Sequence, residues 1–133
     1  ILRLIEDLKD EFSTAVLLIT HDLGVVAETC KNVAVMYAGK IVEQGSVENI
    51  FENPLHPYTV GLNNAIPRLD LDKKRLQIIE GNVPDLIDMP PGCKFHPRCP
   101  YAMDICRQKE PPLERKENGH LSRCYLEEAP WKS

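Results

Sequence analysis

The chain has 133 residues, with 16 lysines and arginines against 20 aspartates and glutamates and a formal net charge of −4. That length suits one domain, or one small domain with an appendage, and the mild acidity argues against a tracker of nucleic-acid phosphates, which carries a basic stripe. Hydrophobic residues at 43% and charged residues at 27% are ordinary for a soluble globular protein. The longest apolar run, Val33 to Ala38, is too short to span a bilayer, and no basic-then-apolar export signal opens the chain.

Ile1, Leu4, Ile5, Leu8 and Phe12 recur at helical spacing with charged residues between them, which predicts an amphipathic helix. Neither an initiator methionine nor a capping residue precedes that pattern. The chain is therefore expected to start inside a helix, as a piece of something longer. Ala15 to Ile19 is a continuous apolar run without alternation, the pattern of a parallel strand buried on both faces. It stops at Thr20-His21-Asp22, and strand ends of this kind are where open α/β sheets gather ligands. Asp22 is suited to cap a helix from Leu23 to about Cys30.

Val33 to Tyr37 is a second β-type run; a turn at Ala38-Gly39 leads into Lys40 to Glu43, and Gln44-Gly45 closes the piece. Ser46 is placed to cap a short helix through Phe51, halted by Asn53-Pro54. His56-Pro57-Tyr58-Thr59 opens another helix with Pro57 in its first turn, and Pro67 ends it. Arg68 to Arg75 reads as a charged linker and Leu76 to Glu80 as a short strand. Beyond residue 83 the character changes. Eight of the 11 prolines and Cys93, Cys99, Cys106 and Cys124 of the five cysteines lie there. Such a segment has too little apolar periodicity to hold one shape by burial alone, so a covalent or metal staple is expected.

A histidine at a strand end has a plain reading as a capping or packing residue. The residues around His21 change its weight. Leu17-Leu18-Ile19-Thr20-His21-Asp22-Leu23, followed by Met36 through Gly45 with Gly39, Ile41, Glu43 and Gly45 in register, resembles the end of an ABC transporter ATPase domain. The resemblance covers residues 1 to about 53. It implies that His21 is the switch histidine, hydrogen-bonded to the γ-phosphate of ATP, in a reaction that needs mainly positioning and charge stabilisation. These residues contain no G-x-x-x-x-G-K-[ST] phosphate loop; that loop, the signature sequence and the magnesium-site acid pair lie upstream in the family. The resemblance thus implies the C-terminal part of an ATPase, inactive alone, with ATP and Mg bound only by the parent protein.

The spacing Cys93-x5-Cys99-x6-Cys106-x17-Cys124 admits three chemistries. Two disulfides would suit a secreted mini-domain. Four thiolates close a zinc tetrahedron, although a tight Cys-x2–4-Cys pair is missing. An iron–sulfur cluster also takes four thiolates and tolerates varied spacing. Cys30 reads as a small buried hydrophobe. His96 and His120 read as neighbours of the ligands rather than ligands, and His56 and Tyr58 as residues that dock a helix.

His56-Pro57-Tyr58-Thr59, Pro84 to Pro91, Gly92-Cys93, Phe95-His96-Pro97-Arg98-Cys99 and Cys106 resemble the extension of peptide-importer ATPases serving oligopeptide, dipeptide and nickel uptake. That resemblance covers residues 54 to about 128. It implies a [4Fe-4S] cluster on Cys93, Cys99, Cys106 and Cys124, with zinc the alternative.

The whole expectation is an α/β chain: residues 1–53 as the last piece of an ABC ATPase (P-loop NTPase) core, and residues 54–133 as a proline- and cysteine-rich irregular extension. Implied partners are a second ABC ATPase subunit and membrane permease subunits, without nucleic acid. The implied place is the cytoplasmic face of the inner membrane, as a peripheral subunit. Cut at Ile1, the Ala15–Ile19 strand loses its neighbours, so the isolated fragment is expected to self-associate. The competing reading is a non-catalytic metal-binding interaction module; a weaker third is an electron carrier.

Overall fold

A computed structural model describes residues 1–67 and 78–132 of the chain. They group into two compact units, Ile1–Cys30 and Lys31–Ser133.

The first unit holds two helices. Helix α1 (Leu2–Phe12) follows the predicted spacing and has no side-chain cap at Ile1; it ends where Ser13 turns left-handed at φ 51°. Helix α2 (Leu23–Thr29) begins at Asp22, whose Oδ1 accepts from the backbone N–H of Gly24 at 2.9 Å and of Val25 at 3.2 Å. This is the expected cap, satisfying donors that the first turn cannot pair internally. Between the helices the structure departs from expectation. Ala15–Ile19 belongs to no strand, and Leu17 and Ile19 are 88% and 89% exposed. A strand exists only where a neighbour takes its backbone groups, and none of the described residues pairs with this run. The parallel sheet expected around it is not formed among the described residues.

The sheet that does form is antiparallel and lies in the second unit. Strands β1 (Asn32–Tyr37) and β2 (Lys40–Ser46) make a hairpin in which Tyr37 faces Lys40. Ala38 and Gly39 both have positive φ, 48° and 76°. That is the two-residue turn whose twist matches the strands. Strand β2 runs on through Gln44-Gly45, which were expected to end it. The register shifts between Val35 and Met36, so that Val35 faces Glu43 while Met36 faces Ile41. The extra residue, Val42, makes a bulge. In a regular strand successive side chains point to opposite faces; the bulge lets both Val42 and Glu43 be buried.

Helix α3 (Val47–Glu52) starts at Ser46, whose Oγ accepts from Asn49 N–H at 3.2 Å. Helix α4 (Pro57–Asn64) carries Pro57 in its first turn and is tied back by Asn63 Nδ2, which donates to the Ile50 carbonyl at 2.8 Å. The core gathers Val35, Tyr37, Val42 and Ile50 around Phe95 from the cysteine-bearing loops. Tyr37 meets Tyr58 at 4.7 Å and the edge of Phe95 at 5.2 Å between ring centres.

The late segment adds helix α5 (Asp104–Gln108) and the two-residue strands β3 (Glu114–Arg115) and β4 (Leu121–Ser122). The sheet order is β1-β2-β4-β3, with Glu43 opposite Ser122 and Gln44 opposite Leu121. Residues on either side of position 53 therefore share one sheet and one core. The charged linker Arg68 to Arg75 lies outside the described residues, as do Leu76 and Gln77 of the expected short strand. Ile78 to Glu80 form no strand. The Ile79 and Glu80 carbonyls instead accept from the Arg98 guanidinium at 3.1 and 2.9 Å.

Candidate functional site

His21 lies in the first unit at the turn into α2. Its side chain is exposed, and Thr20 Oγ1 beside it accepts the Asp22 N–H at 3.0 Å. Thr20 and Asp22 thus hold the turn by their own local hydrogen bonds, and the imidazole between them is open to solvent.

The four late cysteines are in the second unit, brought together by four different devices. Gly92, at φ 69°, lets the chain pass so close to α5 that an added Cβ would collide with the Cys106 carbonyl oxygen; there Cys93 N–H donates to that oxygen at 2.8 Å. A short 3-10 turn, His96–Arg98, carries the chain from Cys93 to Cys99, whose N–H donates to the His96 carbonyl. Helix α5 presents Cys106 inward, 8% exposed. Pairing of β4 with β2 sets Cys124 two residues beyond Ser122.

All four line one small pocket with His56, Phe95 and His96. Every cysteine of the chain is a free thiol, so the disulfide reading has no counterpart in this structure. Burial pushes the Cys93 and Cys124 thiols up and the Cys99 thiol to about 11, and the neighbouring cysteines push in the same direction. Such thiols stay protonated until something of positive charge displaces the proton. Among the described residues no three histidine, cysteine or acidic side chains close on a point that would hold a single ion. Cys30 sits half-buried at the end of α2, in the other unit.

Two residues, Glu43 and Arg98, were given no structural role in the sequence analysis. Glu43, wholly buried, accepts Leu55 N–H at 2.7 Å and His56 N–H at 2.9 Å on its two carboxylate oxygens. His120 Nε2 lies 2.6 Å from Oε1, and against an acceptor-only carboxylate the imidazole must donate. His120 itself is 4% exposed and fits over β2 because Gly45 has no side chain; a Cβ there would stand 3.1 Å from the ring. One carboxylate thus fastens β2 to the entry of α4 and to the loop before Cys124. A charge inside Ile41-Val42-Glu43 was the available signal, and strict alternation would have placed it on the solvent face.

His96 Nδ1 lies 2.8 Å from the Cys93 carbonyl oxygen. Arg98, also overlooked, holds Ile79 and Glu80 and stacks over Tyr37 at 5.9 Å. His56 caps α4, and Tyr58 packs between Tyr37 and Phe95.

Residues 42–106 match the family described as "Oligopeptide/dipeptide transporter, C-terminal region". The chain is 50% identical over 125 residues to the oligopeptide transport ATP-binding protein OppD of Salmonella typhimurium, covering 94% of this chain and 37% of that protein. To the oligopeptide transport ATP-binding protein AppD of Bacillus subtilis it is 48% identical over 128 residues, 96% of this chain and 39% of the relative. The chain therefore spans less than two-fifths of the curated relatives it matches. Among the described residues no helix is long and apolar enough to cross a membrane.

Proposed function

We propose that this chain is the C-terminal part of an ATP-hydrolysing subunit that powers peptide import, with residues 1–53 from the nucleotide-binding domain and 54–133 its peptide-importer extension. The observation that carries this reading is 50% identity across 94% of the chain to an oligopeptide transport ATP-binding protein. His21 would face the γ-phosphate of ATP, with Mg and the phosphate loop supplied by the rest of the parent. Its open position between Thr20 and Asp22 supports that role. An imidazole in this place donates to a phosphate oxygen and helps orient the attacking water. Removing one such donor costs about 2.7–4 kcal/mol of barrier in comparable sites. The partners are a second ATPase subunit and the membrane permeases, with the assembly peripheral on the cytoplasmic face. In the full-length ATPase, His21→Ala should reduce ATP hydrolysis by roughly a hundredfold or more; unchanged turnover contradicts the role.

The cysteine pocket supports a second element of the reading. Four reduced thiols lining one pocket, Cys106 buried and Cys93, Cys99 and Cys124 partly buried, suit a [4Fe-4S] cluster held by these residues. When bound, such a cluster supplies cross-linking of loops too short of apolar residues to fold by burial. A non-catalytic metal-binding module remains the competing reading, favoured by one fact: the unit Lys31–Ser133 contains the whole cysteine site.

A further inference from the structure

The segment His56-Pro57-Tyr58-Thr59 does more than start a helix. His56 is 1% exposed, and its backbone N–H is fixed from behind by Glu43 Oε2. Its ring Nδ1 accepts the Tyr58 backbone N–H at 3.1 Å. A nitrogen that accepts a hydrogen bond carries no proton, and an imidazole with one bare nitrogen is neutral. The ring's proton is therefore on Nε2. Burial acts in the same direction, holding the His56 pKa down to about 3.

The ring lines the pocket shared by the four cysteines and stands 5.7 Å from Phe95, which lies between Cys93 and Cys99 in sequence. His96, on the same pocket, gives its Nδ1 proton to the Cys93 carbonyl. A protonated Nε2 excludes His56 as a metal ligand, because ligation needs the lone pair. It makes His56 a donor instead, with sulfur the acceptor the cysteine pocket offers.

We propose that His56 Nε2–H donates a hydrogen bond to a sulfur of the iron–sulfur cluster held by Cys93, Cys99, Cys106 and Cys124, as a positioning residue that sets the cluster's potential. This rests on the cluster reading given above. Adding an electron raises the negative charge on the cluster sulfurs, and a donor stabilises that state, so the bond raises the reduction potential. It also ties the site to the hairpin, since Glu43 of β2 holds the backbone of the donating residue.

Two variants of the full-length protein, purified anaerobically, separate the donor from the helix cap. His56→Asn keeps an oxygen that caps α4 by accepting from Tyr58 N–H but is too short to replace Nε2–H. His56→Gln places an amide donor where Nε2–H stood. Iron and labile sulfide are assayed first, then the midpoint potential by electrochemical titration. The expected result is full iron in His56→Asn with a more negative potential, and a potential returned toward the unsubstituted value in His56→Gln. Full iron with an unchanged potential in His56→Asn overturns the donor role alone. Unsubstituted protein without iron and sulfide overturns the cluster reading and this proposal with it. Where neither variant loads iron, pulsed EPR of the reduced unsubstituted protein labelled with 15N-histidine decides: a nitrogen coupling at the cluster is expected, and its absence overturns the proposal.

Discussion

Residues 1–30 and residues 31–133 are both rich in apolar side chains, yet they are buried very differently. In the first unit Val26 alone is buried, and the face of α1 that reads as a core face leaves Leu4 58% and Phe12 67% exposed. The second unit holds the aliphatic and aromatic cluster, with Ile50 and Phe95 almost wholly covered. Apolar patterning shows that a segment needs a partner; only the fold shows whether the partner is in the same chain. The second unit finds its partners internally, in the cluster around Ile50 and Phe95 and through Glu43, which ties β2 to the entry of α4 and to His120.

Substitutions that attack the second unit's ties should have the largest effects. Glu43→Ala leaves two backbone donors and a buried imidazole without an acceptor, and should destabilise this unit by about 3–5 kcal/mol in chemical denaturation, the range for breaking a buried pair. Gly92→Ala combines a strained φ of 69° with a collision at the Cys106 carbonyl. It should cost about 3 kcal/mol and lower iron retention, whereas Gly39→Ala, at φ 76° but with open space around it, should cost only about 1 kcal/mol.

Acid tests the same unit through His56. Its folded pKa of about 3 lies below the ordinary 6.5, so burial of the neutral ring favours the fold fully above pH 6.5. That contribution is lost as pH falls from 6.5 through about 3, at about 1.4 kcal/mol for each pH unit in which only the unfolded ring binds a proton. A denaturation midpoint in His56→Asn that falls less steeply over this window would bear the sign out. The smallest effect belongs to the first unit. Leu17→Ser with Ile19→Ser should change the stability of the second unit by no more than about 0.5 kcal/mol, yet reduce self-association of the isolated chain in sedimentation. A substantial loss of stability there would erase the contrast between the two regions.

The features legible in the sequence are those set by a few adjacent residues. Asp22, Ser46 and Pro57 announce helix starts, and Ala38-Gly39 announces a hairpin, because each acts on its own neighbours. The cysteines could be counted, but not the devices that gather them: a left-handed Gly92, a 3-10 turn and a two-residue strand have no periodicity. Burial of Glu43 depended on a bulge and on β4, contributed from nearly eighty residues further along the chain. The run Ala15–Ile19 misled for the opposite reason. Its pattern reports what a buried strand looks like, not whether a neighbouring strand is at hand.

The cysteine centre is tested most directly by measuring iron, labile sulfide and zinc in the full-length protein after anaerobic purification. About four iron and four sulfide per chain, lost together on replacing Cys106, is the predicted result. One zinc per chain without sulfide, or no metal at all, would contradict it.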